Sequence, residues 1–168
     1  DEKLAKYFKD RLNGNNTQAS EKANLKIRSN YLENFIRIPL FNSVGCGELM
    51  FADPTVQEMI AVKSELMSKG SKYFVLRTSG DSMNLAGIND GDLVLCRKNY
   101  HPEEGNNVVA LIGDDATIKE YHRENGAVVL KPNSSNPKHE PLRYTDNDEI
   151  KVQGVVACVI NDEYDNLR

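Results

Sequence analysis

The chain has 168 residues, a net charge of −4, 39% apolar and 27% charged residues, and no tryptophan. That is enough for one sizeable domain with appendages. No run approaches the roughly 18 apolar residues of a membrane span, and no signal-peptide pattern opens the chain. The charge is uneven: residues 1–38 carry eight Lys/Arg against five Asp/Glu, and residues 39–168 carry thirteen against twenty. An acidic body is a poor binder of nucleic acid, whose affinity rests on phosphate neutralisation, so any DNA contact is expected upstream of it.

In chain order, residues 2–12 (EKLAKYFKDRL) set Leu4, Tyr7, Phe8 and Leu12 at helical spacing. This is either a solvated helix stub or the last helix of a DNA-binding domain. The chain opens on Asp1 rather than methionine, so more chain upstream is expected. The polar, Asn-rich stretch that follows has little to bury and reads as a flexible linker. The expected division is therefore 1–35, helix stub and linker, and 36–168, the folded body.

From Phe35 the texture changes to short apolar runs rich in Val and Ile, bounded by turn signals: FIRIPLF, YFVLRT, DLVLC, NVVALI, ATIKEYH, AVVLKP and IKVQGVVACVI. These are strand lengths. Gly113-Asp114-Asp115 and Glu124-Asn125-Gly126 read as hairpin connections. Asp53 as cap, Pro54 at the first helical position and Gly70 past the end predict a helix over 53–70. The body is expected to be mostly β with one short helix.

Cys46, Cys96 and Cys158 are odd in number and form no CxxC pair, and His101, His122 and His139 are scattered. Zinc-ligand spacing is absent; no metal or cofactor is expected, and reduced thiols suit a cytoplasmic protein. Ser82 stands in a glycine-flanked turn, Ser79-Gly80-Asp81-Ser82-Met83. A serine hydroxyl needs a base, and no histidine is placed for it by sequence. Lys119 is another candidate, if burial leaves its amine neutral. Strand alternation puts Thr117, Lys119 and Tyr121 on one face. Taken singly, Lys119 reads as a surface lysine and Ser82 as an ordinary turn residue. Val44-Gly45-Cys46-Gly47 is a small-residue bend: a tight turn, or a peptide segment able to enter a narrow cleft.

Together these motifs resemble the LexA/UmuD-type self-cleaving serine peptidases, over about residues 36–161. The resemblance rests on Ser79-Gly80-Asp81-Ser82-Met83, Gly87-Ile88 with Asp90-Gly91-Asp92-Leu93, Thr117-Ile118-Lys119, Lys131-Pro132-Asn133-Ser134 and Gly154-Val155-Val156. It implies a β-rich LexA/UmuD-like fold and an intramolecular endopeptidase. Ser82 would be the nucleophile, Lys119 its base and Thr117 the orienter of the amine. The N–H groups of Ser82 and Asp81 would hold the oxyanion, Met83 would line the cleft, and the Cys46–Gly47 bond would be cut. Many members carry Ala-Gly at the cut, where this chain has Cys-Gly. The resemblance also implies a homodimer, stimulation by a RecA filament on single-stranded DNA, and operator DNA reached only through an upstream domain. The role implied is either a DNA-damage-responsive repressor or a UmuD-like accessory subunit of a translesion polymerase. A signal peptidase of the same chemistry would need a membrane anchor.

Overall fold

The computed structural model describes residues 34–41, 58–112, 115–145 and 150–160. Nine strands run through them: β1 (Phe35–Phe41), β2 (Glu58–Lys63), β3 (Tyr73–Arg77), β4 (Leu93–Lys98), β5 (Asn107–Ile112), β6 (Asp115–Glu124), β7 (Ala127–Lys131), β8 (Leu142–Tyr144) and β9 (Ile150–Ile160). They form one sheet in the order β2-β1-β3-β4-β9-β5-β6-β7-β8. β1 lies parallel to β3, and the pairs from β3 across to β8 are antiparallel. All seven apolar runs of the sequence fall on strands. The mostly β expectation holds.

The runs in β3 and β4 are continuous rather than alternating because both faces of these strands are covered. Phe74, Leu76, Val94 and Cys96 join Met83, Ile88, Val109 and Ile118 in one core cluster. Val75, Leu93 and Leu95 turn the other way to pack with Ile38, Leu40, Val62 and Ile160. A third cluster gathers Val108, Ala110, Tyr121, Leu130 and Val155.

β9 is the central beam. β5 pairs with Ile150–Val155 and β4 with Gly154–Ile160, and the register slips once against each neighbour. Such bulges bend and twist a strand, letting one long segment serve two differently inclined partners. Gly154 sits where the three strands crowd: a Cβ there would lie 2.7 Å from Arg97 O and 2.9 Å from the Phe74 ring. No other residue type fits without displacing backbone.

The helix expected over 53–70 is not formed where the structure describes it. Glu58–Lys63 is strand β2, Ser64–Leu66 makes a single 3-10 turn, and Gly70 takes φ +81° in the following turn. Asp53 and Pro54 lie outside the described residues. The sequence Met59-Ile60-Ala61-Val62 satisfies either period, and the tertiary setting decides: β2 pairs with β1 and sinks Val62 into the core. The Asn125-Gly126 connection is the tight hairpin turn expected, with φ of 51° and 81°. Asp115 opens β6 opposite Ile112, so that hairpin also forms. Its Gly113-Asp114 tip, the segment 2–12, the polar linker and Cys46–Gly47 lie outside the described residues.

Candidate active site

β3 ends at Arg77 and β4 begins at Leu93; the chain between them folds into the turn that carries Ser82. Its base is closed by Thr78 N–H donating to Asp92 O (2.8 Å) and Gly91 N–H donating to Thr78 O (3.1 Å). Gly80 takes φ +88°, a conformation that a side chain would strain, and donates its N–H to Asp90 Oδ1 at 2.7 Å. These contacts explain why an Asp-Gly-Asp turn accompanies the serine motif in sequence: it buttresses it. Beyond Ser82, Met83 is buried in the core and accepts hydrogen bonds from Ala86 and Ile88 at its carbonyl. The turn that carries Ser82 is thereby bolted down through its neighbour.

From the adjacent β6, Lys119 reaches Ser82. Its Nζ lies 2.8 Å from Ser82 Oγ, 2.8 Å from Thr117 Oγ1 and 2.9 Å from Ile118 O. The residue is only 8% exposed. Burial pushes the Lys119 ammonium down from the ordinary lysine range, because the charged form loses hydration. No carboxylate pairs with it among the described residues. A neutral amine has two N–H groups and one lone pair. Ile118 O can only accept and Thr117 Oγ1 can also do so, which leaves the lone pair for the Ser82 hydroxyl proton. The arrangement suits proton abstraction from serine.

Thr117, Ser82, Met83 and Ile118 also line a cleft of about 210 Å³ with Arg77–Gly80, Ile88 and Ala116. Small side chains fit a space of this size. Among the described residues nothing accepts a hydrogen bond from Ser82 N–H, which stands beside the Ser82 hydroxyl.

Asp81 is turned from the lysine toward the segment after β7. Its carboxylate meets His139 Nε2 at 2.5 Å and accepts from Asn136 Nδ2 at 3.0 Å. The His139 bond, then the Asn136 bond, hold this carboxyl below the usual aspartate range. Sequence reasoning missed this link: His139 is considered there as a zinc ligand and as a base, and spacing gives no sign that it meets Asp81. None of the three histidines bonds Ser82. His122 instead lies between Glu104 and Glu120, and His101 donates its N–H to Asn99. Among the described residues no group of three His, Cys, Asp or Glu could hold a metal ion, and no helix is long and apolar enough to cross a membrane.

The site thus sets a serine hydroxyl against a buried lysine amine that has hydroxyls and a carbonyl for partners. The Peptidase S24-like family model matches residues 39–157, and the chain belongs to that family. It is 39% identical over 128 residues to the LexA repressor of Syntrophotalea carbinolica, covering 76% of this chain and 61% of that one. The LexA repressor of Oleidesulfovibrio alaskensis is 36% identical over 122 residues, 73% of this chain and 58% of that one. LexA repressor 1 of Nocardia farcinica is 34% identical over 128 residues, 76% and 56% respectively. The chain thus spans about three fifths of the length of these relatives.

Proposed function

We propose that this chain is the self-cleaving part of a DNA-damage-responsive transcriptional repressor and that it cuts its own Cys46–Gly47 bond. The observation that carries the reading is the buried Lys119 amine held between Thr117, Ile118 O and Ser82 Oγ.

In the first step neutral Lys119 takes the Ser82 proton while Oγ bonds to the Cys46 carbonyl carbon. The negative oxygen that forms is stabilised by Ser82 N–H, with Asp81 N–H as the second donor. Collapse breaks the C–N bond, and the Lys119 ammonium returns its proton to the leaving amine of Gly47. Water, deprotonated by the same lysine, then hydrolyses the Cys46–Ser82 ester. The products are residues 1–46 and 47–168. Cys46 is small enough for the cleft, so Cys-Gly in place of Ala-Gly is compatible with reaction.

Such a chain accumulates intact only if its substrate loop spends most of its time away from Ser82. A RecA filament on single-stranded DNA would act by preferring the docked state, a population shift whose size is limited by that preference. Cleavage would separate residues 47–168 from an upstream operator-binding domain joined through the linker 1–35. The homodimer is assigned to this body; the side of Val156–Ile160 beyond the end of β5 is where a second copy could extend the sheet. The repressor names of the relatives favour this role over that of a polymerase accessory subunit.

The test is mass spectrometry of the purified chain after incubation at about pH 7 and about pH 10, beside Ser82→Ala and Lys119→Ala. Fragments ending at Cys46 and beginning at Gly47, formed faster in alkali, at a rate independent of protein concentration and absent from both variants, are expected. An intact wild-type chain with filament present, or cleavage surviving Ser82→Ala, would overturn the reading.

A further inference from the structure

The segment from Asn133 to His139, between β7 and β8, is bonded residue by residue to the back of the nucleophile turn. Asn133 N–H donates to Ser82 O and Asn133 O accepts from Leu85 N–H, both at 3.0 Å. Ser134 Oγ–H donates to Asp81 O at 2.7 Å and accepts from Asn136 N–H at 3.0 Å. Asn136 Nδ2 and His139 Nε2 take the two oxygens of the Asp81 carboxylate. Asn84 and Ser135 exchange a further pair, at 2.8 and 2.9 Å. The strap thus grips four residues of the turn, yet none of these contacts involves Lys119.

The bond to Asp81 O has a directional consequence. In a trans peptide the C=O and N–H point in opposite directions, and the structure has no cis peptide among the described residues. Fixing Asp81 O against Ser134 therefore aims the N–H of the same peptide unit, that of Ser82, away from the strap. The carboxylate grip by Asn136 and His139 holds Asp81 against rotation about its own backbone. On the other side the turn is tied by Gly80 N–H donating to Asp90 Oδ1.

We propose that the Asn133–His139 strap is the positioning element of the oxyanion site, with Ser134 and His139 aiming the Ser82 N–H through Asp81 without touching substrate. This rests on the Ser82/Lys119 reading and deepens it. The strap sets where the negative oxygen is received, while the lysine sets when the serine is ionised; the two should separate in a pH profile.

The experiment measures first-order self-cleavage of the full chain between about pH 7 and about pH 11 for Ser134→Ala, His139→Ala, their double variant and the conservative His139→Gln, with melting temperatures for each. A Gln amide nitrogen can stand where His Nε2 stands. Ser134→Ala and His139→Ala should each lower the alkaline plateau by roughly 10- to 100-fold, less than the loss of an oxyanion donor itself, and leave the pH midpoint where it is. The double variant should lose little more than either single one, since both act through Asp81. His139→Gln should recover most of the rate. Wild-type plateaus in both alanine variants would overturn the proposal. So would a moved midpoint, additive losses, or equal loss in His139→Ala and His139→Gln in step with melting temperature. Ser82→Ala and Lys119→Ala run alongside: cleavage near the wild-type rate in either overturns the dyad reading, whereas their loss of rate beside full rates in Ser134→Ala and His139→Ala overturns the strap alone.

Discussion

Lys119 and Lys131 sit on neighbouring strands of one sheet, β6 and β7, and a sequence reader would give them the same surface role. Lys131 has it. Its Nζ meets Glu124 Oε1 at 2.7 Å in the open, and that bond raises its pKa. Around it Arg143 also bonds Glu124, and His122 lies between Glu104 and Glu120, so charge is answered by charge. Lys119 is buried with hydroxyls and a carbonyl for company, and its pKa falls. The difference teaches that a lysine able to act as a base is marked by what its surroundings withhold. A carboxylate beside it would stabilise the ammonium and remove the base.

The largest effect that sharpens this contrast is on cleavage. Lys119→Ala should slow the reaction by about a thousandfold or more, the range of a general base, whereas Lys131→Ala should leave it unchanged. Gel-resolved time courses at alkaline pH read both. A Lys131 variant as slow as the Lys119 variant would erase the distinction. Next comes Thr117→Val, which keeps the strand-favouring shape but removes one partner of the amine. One lost hydrogen bond predicts about a tenfold fall in rate. Single-turnover rates check it, and an unaltered rate would leave Thr117 without an orienting part.

Stability gives the third test. Lys119 has a folded pKa below its unfolded one, so between the two the unfolded chain binds more protons and stability rises with pH. The full penalty for a buried ammonium applies below the folded pKa, and none remains above the unfolded value. Lys119→Met should therefore melt higher than wild type at neutral pH, with the gain fading as the solution is made alkaline. Calorimetry across that window shows either a convergence or none. Smallest is Glu124→Gln. The raised Lys131 pKa means its contribution is present at neutral pH and lost as pH rises through the folded value. The lowered Glu124 pKa means the pair is also lost as pH falls through that carboxyl's folded value. Because the pair is exposed and salt-screened, the melting temperature should scarcely move, and less at high salt.

The sheet was largely legible because Val- and Ile-rich runs of strand length leave few alternatives. Glu58–Lys63 was not, since its apolar residues fit a helical period and only the pairing with β1 chooses the strand. β8 was missed because Leu142-Arg143-Tyr144 is short, at the sheet edge and partly exposed, so it carries no alternation. Ser82, Thr117 and Lys119 were legible as a pattern, but their convergence within 2.8 Å depends on how β6 lies against the turn, which composition does not encode. The Asp81–His139 contact spans 58 positions and joins two loops. No local signal announces it, although Asn133-Ser134 already stood among the motifs.

The central claim is that Lys119 can stand neutral beside Ser82. It is tested most directly by titrating the side-chain nitrogens of the isotope-labelled chain by NMR, using Ser82→Ala to prevent cleavage. Lys119 Nζ should titrate below the free-lysine range and Lys131 Nζ above it, in the same sample. A Lys119 amine that titrates with the exposed lysines, or above them, would contradict the account.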